Sequence, residues 1–384
     1  MRIAQVAGEY PPLQGGLGDF TRELSRALAA AGHEVHVLTK MSAGLEPREQ
    51  IDGIDIQRLD PRWGWHSLRQ VDQFIIANHP DIVNLQYQAA AYNMHPAINL
   101  LPRIIRRVPV VVTFHDLRVP YLFSKAGPFR RKAISELAGS AASVIVTNEE
   151  DRATLAQAGV ADVNLIPIGS NIIPQNKVPF DRQAWLQARG YPSSQFIVGY
   201  FGFMNVSKGG AVLMRAFAQL RAQGVDANLL LIGGLTGESD ITNLAYARDV
   251  MNLAVQLGIS EHVLQTGYLT NHDVSDALAA CDCMALPYQD GASFRRGTLM
   301  AALAHGRAIV TTRPRLPLPE LVDGENAMLV PPDDAEQLAD AVRRTLNDIA
   351  LRQRLESGSL ALSARFGWGE IAAKTLQVYA KRLR

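Results

Sequence analysis

Cysteine is almost missing from this chain: two residues in 384, Cys281 and Cys283. Positions two apart on a strand are poorly placed for a disulfide, so no stapled framework is expected. Two small buried thiols in a reducing, cytoplasmic setting are the expectation instead. Long apolar runs are missing too. Stretches such as "PVVVTF" (109–114) fall far short of the roughly 18 residues that cross a bilayer. No leader is visible, because Met1-Arg2 runs straight into the strand-like "IAQVAG". No charge sign dominates: 38 Lys and Arg face 37 Asp and Glu, a net charge of +1. That balance gives no pull toward nucleic acid. Asp-x-Asp does not occur, nor does any His/Cys spacing suited to zinc, so no metal site is expected.

What is present is a twofold alternation of strand-like and helical segments. The first set of strands is "RIAQVAG" (2–8), "EVHVLT" (34–39), "IVNLQ" (82–86), "PVVVTF" (109–114), "SVIVTN" (143–148) and "NLIPIG" (164–169). The second is "FIVGYFGF" (196–203), "NLLLIGG" (228–234), "HVLQTGYL" (262–269), "CMALPY" (283–288), "AIVTT" (308–312) and "AMLVPP" (327–332). Continuous β-branched runs bounded by Gly and Pro predict parallel strands buried on both faces. Helices fill the gaps. Residues 17–31 align Phe20, Leu24, Ala27, Leu28 and Ala31 on one face, with Gly32 as the stop.

The polar, proline-bearing stretch 170–195 separates the sets. The expected organisation is α/β: a first Rossmann-like domain at 1–172, a linker and entry helix at 173–195, a second Rossmann-like domain at 196–365, and a terminal helix at 366–384. Ligands in such doubly wound sheets bind outside the carboxyl ends of the strands, so the loops there carry the candidate residues.

After the first strand, Gly15, Gly16 and Leu17 open a helix whose N–H groups suit a phosphate or sugar hydroxyl. A dinucleotide fingerprint is not supported. The glycines are set off from the strand by "EYPPLQ", and the second strand ends in Thr39-Lys40 rather than an acid. His115 and Asp116 end the "VVVTF" strand, where a histidine beside an acid is a functional candidate. In "MNVSKGGAVL", Lys208 precedes two glycines at a helix start, a phosphate-binding arrangement that is not a Walker motif. In "QDGASFRRGTLMAALAHG", Arg295 and Arg296 flank the first turn of a helix starting near Gly297-Thr298, which suits a diphosphate.

Basic residues also cluster in the first domain at Arg103, Arg106 and Arg107, and at Lys125, Arg130, Arg131 and Lys132. A solvated face is the default reading; peripheral contact with anionic lipid at the inner membrane surface, or with an anionic acceptor, is the alternative. Asn148, with Asp151 three residues on, reads as a helix cap.

Taken in order, "YPPLQGGLGDFTREL", "TFHD", "FGFMNVSKGGAVLMRAF", "LLLIGG", "GYLTNHDVSDALAACDCMALP", "ALAHGRAIVTT", "PELVDGENAMLVPPDD" and a terminal "FGWGEIA" resemble the family 4 glycosyltransferases of the GT-B fold. The resemblance runs through both domains. It implies two Rossmann-like domains facing a central cleft, with a C-terminal helix crossing back to the first. It also implies a nucleotide-sugar donor held by the second domain and a glycan, lipid-linked or small-molecule acceptor held by the first. Metal-independent transfer with retention is expected, with no resident cofactor. By motif match Gly16 lies near the donor phosphates and sugar, His115 contacts the donor sugar and Lys208 binds the diphosphate.

Two departures qualify that expectation. Phe203 stands where the family has an arginine. The family's Glu-x7-Glu pair would fall at Ser293 and Ala301, or, read from "ALPYQDG", its first acid would be Asp290. The expected site therefore comprises His115 and Asp290 as catalytic groups. Gly15, Gly16, Leu17, Lys208, Ser293, Arg295, Arg296, Gly297 and Thr298 are expected to bind the donor. Arg295 or Arg296 would restore the charge missing at Phe203, while Ser293 or Thr298 would replace the lost ribose carboxylate. Its loss costs about 1.5–3 kcal/mol of donor binding. The alternative expectation is an inactive GT-B relative that binds sugar or nucleotide as a partner protein.

Overall fold

The computed structural model describes residues 1–13, 15–60, 62–117, 127–174, 180–192, 195–234 and 241–383, with backbone alone at 127–131 and 241–242. The chain forms two compact units, Met1–Gly169 with Phe366–Arg384, and Ser170–Arg365.

Unit 1 runs β1 (Arg2–Ala7), α1 (Gly16–Ala30), β2 (Glu34–Lys40), β3 (Arg48–Ile51), β4 (Ile54–Leu59), α2 (Trp65–Asn78), β5 (Ile82–Tyr87), α3 (Leu101–Ile104), β6 (Val110–Phe114), α4 (Gly127–Ser140), β7 (Ser143–Val146), α5 (Glu149–Gln157) and β8 (Val163–Leu165). Its eight strands pair in the order β3-β4-β2-β1-β5-β6-β7-β8. All pairs are parallel except β3 with β4. The central strands are buried along nearly their whole length, as their continuous apolar runs require. The β3–β4 hairpin has no counterpart among the expected strands. β4 reads "IDIQRL", its Ile54, Ile56 and Leu59 separated by polar residues, and β3 is a charged edge strand, so neither shows a continuous apolar run. Arg58 of β4 is buried there and ion-paired to Glu49 of β3.

Unit 2 runs α6 (Arg182–Gln187), β9 (Phe196–Phe201), α7 (Gly210–Ala222), β10 (Ala227–Ile232), α8 (Ile241–Gln256), β11 (Val263–Gln265), α9 (Asn271–Ala280), β12 (Cys283–Leu286), α10 (Gly297–Ala304), β13 (Ile309–Thr312), β14 (Met328–Val330), α11 (Ala335–Asn347) and α12 (Ile349–Ser363). The six-stranded sheet is ordered β11-β10-β9-β12-β13-β14 and is parallel throughout. The stretch assigned to a linker belongs to this unit. Arg182 of α6 donates to the Ala280 carbonyl at 2.8 Å and pairs with Asp282 at 2.8 Å, and Trp185 and Leu186 are buried.

After α12 the chain returns to unit 1 as α13 (Trp368–Ala380). Ile371, Ala372, Val378 and Tyr379 join Ile3, Phe20, Leu24 and Leu28 in one apolar cluster. The Phe20 and Trp368 rings meet edge-on at 5.3 Å. The stripe on α1 is thus covered by the last helix of the chain. Burying one Leu-sized side chain contributes about 1.5–3 kcal/mol.

Candidate active site

In both sheets the strand order reverses at the first strand of the unit. In unit 2 the chain moves outward from β9 through β10 to β11, then restarts on the other side with β12. The loops after β9 and β12 therefore leave in opposite directions and open a crevice at the strand ends. Lys208 lies in the first of these loops, and residues 287–296 form the second.

Backbone packing holds the two loops together. Gln289 N–H donates to the Ser207 carbonyl at 2.9 Å. Gly209, at φ 71°, joins a short 3-10 turn (Val206–Lys208) to α7, and any Cβ there would collide with the Pro287 carbonyl. Asn205 caps the turn, its side-chain oxygen accepting from Lys208 N–H at 3.1 Å. The Lys208 ammonium lies over Gly202, where a Cβ would come within 2.6 Å of Nζ and 2.8 Å of the Thr298 methyl.

Arg296 lies close enough to that ammonium to act on its charge, and a carboxylate steers Arg296 in turn. Asp290 bridges Arg296 and Arg295, the latter at 3.5 Å. The Arg296 guanidinium lies 4.8 Å from the Tyr288 ring centroid and donates to Ser207 Oγ at 3.4 Å. The Tyr288 hydroxyl shares a 2.7 Å hydrogen bond with Thr298 Oγ1. Removal from water, and secondarily the nearby Arg296 charge, pull the Lys208 pKa down to about 8. No side chain caps either α7 or α10, so their positive ends add to an already cationic site.

Unit 2 thus brings together Lys208, Asp290, Ser293, Arg295, Arg296 and Thr298, with Gly297 exposed at the start of α10. Ser293 shapes the turn, its carbonyl accepting from Arg296 N–H at 2.9 Å. Asp290 is engaged in steering the guanidinium pair. Ala301 is fully buried and offers no polar atom to a sugar. Tyr288, Asn205 and Ser207 were not among the sequence candidates. Ser207 meets Arg296 and Gln289 across a loop-to-loop contact that only folding creates, while Asn205 and Tyr288 bond within their own segments, where an aromatic a few residues before two arginines was a usable signal.

In unit 1 the glycine loop behaves differently from the sequence expectation. The Glu9 carboxylate lies against Gly15, leaving no room for a Cβ there. Burial raises the Glu9 pKa, while the backbone N–H groups of Gly18 and Leu17 and the charge of Lys40 oppose that rise. The start of α1 is therefore already in contact with an internal anion. Leu17 puts its side chain in the core at 2% exposure, and Gly16 alone faces open space.

His115 follows β6, its N–H donating to the Tyr87 carbonyl at 3.1 Å. Its Nε2 lies 2.8 Å from Gln86 Oε1, and the Phe20 ring meets it edge-on at 4.6 Å. Desolvation pulls its pKa down to about 3, so the imidazole is neutral near pH 7. Nearby, Asn148 caps α5 by accepting from Asp151 N–H at 2.9 Å. Burial, with Asp116 and Glu150 adding to it, pushes the Asp151 carboxyl up to about 6 against the hydrogen bonds from Asn148 and Leu117.

The basic face is largely committed elsewhere. Arg103 pairs with Glu136 and Arg107 with Asp72. Lys125 lies outside the described residues, as do the side chains of Arg130 and Arg131, while Lys132 is exposed. Among the described residues no helix is long and apolar enough to cross a membrane. Also among them, His272, Asp273 and Asp276 lie close enough to share an ion, but on the exposed first turns of α9. Cys281 and Cys283 are free and buried.

Comparison with known proteins decides the family. The model described as "Glycosyl transferases group 1" matches residues 195–348, and that of the "Glycosyl transferase 4-like domain" matches residues 15–169. The chain is a family 4 glycosyltransferase. As such it is a hexosyl- or related transferase, and its two α/β units form the GT-B fold. The transferase is 26% identical over 396 residues to a phosphatidyl-myo-inositol mannosyltransferase of Mycolicibacterium smegmatis, spanning 99% of this chain and 93% of that one. Among solved structures it resembles a sucrose-phosphate synthase from Thermosynechococcus elongatus, with a TM-score of 0.81, 22% identity, and 99% and 98% of the two chains covered. It also resembles an Anabaena protein solved in complex with UDP and glucose, with a TM-score of 0.77, 20% identity, and 99% and 100% covered.

Proposed function

We propose that this glycosyltransferase moves a hexosyl unit from a nucleotide-diphosphate sugar, a uridine one for preference, to a hydroxyl of a glycan, lipid-linked or small-molecule acceptor. Transfer proceeds with retention and without a metal ion. The observation that carries the reading is the gathering of Lys208, Arg295 and Arg296 at the loops after β9 and β12, with Asp290 steering the two guanidinium groups. A diphosphate complements such a group of cations. Such preorganised cations act most strongly on the leaving group, where negative charge develops as the glycosidic bond breaks. The similarity to a protein crystallised with UDP supports the choice of base.

In this reading Arg296 supplies the charge missing at Phe203, and Asp290 orients it. Thr298, on Tyr288, offers the nucleotide a hydroxyl in place of the missing carboxylate. The family resemblance gives His115 of unit 1 a contact with the donor sugar, and a neutral imidazole suits a hydrogen bond to a sugar hydroxyl.

Titration with UDP and UDP-sugars, with and without EDTA, tests the reading. UDP is expected to raise the melting temperature, and slow hydrolysis of one UDP-sugar to persist in EDTA. Arg296→Ala is expected to weaken UDP binding by about 1.5–3 kcal/mol, the worth of a charged hydrogen-bonding partner. Unchanged UDP affinity in this variant would remove the proposed role of Arg296. The bare Ala301 favours one second reading, a binding protein without turnover. Stabilisation by UDP with no hydrolysis of any donor, acceptors supplied, would select it.

A further inference from the structure

Tyr288 stands just past β12, on the loop that carries Asp290, Arg295 and Arg296, yet it is only 1% exposed. Its backbone is fixed at two points. The N–H donates to the Leu286 carbonyl at 3.0 Å, and the carbonyl accepts from Thr312 Oγ1 of β13 at 2.6 Å. A buried ring on an anchored backbone has little freedom left.

Two polar contacts leave this ring toward the crevice. The Arg296 guanidinium lies over its face, 4.8 Å from the centroid, and the hydroxyl shares its 2.7 Å bond with Thr298 Oγ1. Burial pushes the Tyr288 pKa up to about 12, against the bond from Thr298 and the charge of Arg296. The hydroxyl therefore keeps its proton at pH 7, and Arg296 meets the face of a neutral ring rather than an anion.

Each contact completes the hold on a group of the candidate site. Ser207 and Asp290 take the two ends of the Arg296 guanidinium, and the Tyr288 ring covers its face. Thr298, in the first turn of α10, has its methyl toward Gly202 and its oxygen on Tyr288. Among the described residues this is the one hydrogen bond that either hydroxyl makes. It fixes the place of the Thr298 oxygen whichever hydroxyl donates.

We propose that Tyr288 is a positioning residue of the donor site: its ring sets the plane of the Arg296 guanidinium, its hydroxyl sets Thr298 Oγ1, and one buried side chain thereby fixes the spacing between the cation for the diphosphate and the hydroxyl for the nucleotide. The proposal rests on the donor reading given above. Groups ordered before the ligand arrives lose little freedom when it binds, so the gain is in donor affinity.

The test is calorimetric titration of the full chain with UDP at pH 7, run as two double-mutant cycles. A residue that acts through others must lose its effect once they are removed. Tyr288→Phe keeps the ring and is expected to weaken UDP binding about twofold to tenfold, one neutral hydrogen bond. In a Thr298→Val background the same change is expected to alter affinity by less than about twofold. Tyr288→Leu removes the ring as well. It is expected to weaken binding by a further factor of about two to thirty, the worth of a partly desolvated cation–π contact. That further loss should vanish in an Arg296→Ala background. A tyrosine that only fills the core would lower the melting temperature and carry the same loss into every background. No loss in Tyr288→Phe, an equal loss without Thr298, or a further loss in Tyr288→Leu that persists without Arg296 would each overturn the proposal. Tyr288→Phe is nearly isosteric, so its cycle decides even where Tyr288→Leu fails to fold. Absence of UDP binding in the wild type would instead overturn the donor reading, and this proposal with it.

Discussion

Lys208 holds its ammonium against Gly202, partly out of water and next to Arg296, and this has two opposite consequences. In the free protein the charge is costly. The folded pKa of about 8 lies below the ordinary lysine value of 10.5, so the unfolded chain binds more protons between these two values. Stability therefore rises with pH across that window, and the full penalty is present below it. Lys208→Met is accordingly expected to raise the melting temperature at pH 7 while abolishing stabilisation by UDP. Diphosphate affinity should show the reverse pH trend. It should be level from pH 6.5 to 7.5, fall above about pH 8 as Lys208 loses its proton, and lose this slope in the methionine variant. Calorimetry across that range reads both. Lys208 and the arginine pair were legible in the sequence because cations beside glycines at a helix start have few other uses. Glu9 was not, because its partners are backbone N–H groups made available only when α1 forms. Nor was the committed state of Asp290, which depends on where two side chains reach across a turn.

At the level of elements, most parallel strands were readable because they are continuous, largely apolar runs, and the helices because their stripes recur with helical spacing. The β3–β4 hairpin escaped since polar residues interrupt the apolar positions of β4 and β3 buries none. The terminal helix was legible as a helix. Ile371 and Tyr379 are buried in the cluster that α13 shares with α1 and the sheet, whereas Leu383, beyond the helix end, is exposed. Ile371→Ala should therefore destabilise unit 1 by about 2–5 kcal/mol, the usual cost of emptying such a site. Urea unfolding measures that loss. UDP affinity, a property of the Lys208 crevice, should stay within about twofold, as expected for sites that share no partners.

For the whole molecule, the near-equality of positive and negative residues leaves no global field to steer a charged partner. The cationic group of the candidate site is local, set by the loops after β9 and β12. Each unit encloses its own apolar clusters. Unit 1, however, is assembled from both ends of the chain, with unit 2 continuous between them. On the ribosome, unit 2 has all its residues in hand before the segment that seals α1 has been made, reversing the usual N-terminal-first order. A chain stopped at residue 365 is expected to be cut by protease within residues 1–169 and to resist within 170–365; equal resistance of both would exclude this order. Until synthesis reaches Trp368, Phe20, Leu24 and Leu28 have no lid, and the nascent N-terminal half is a natural client for a chaperone.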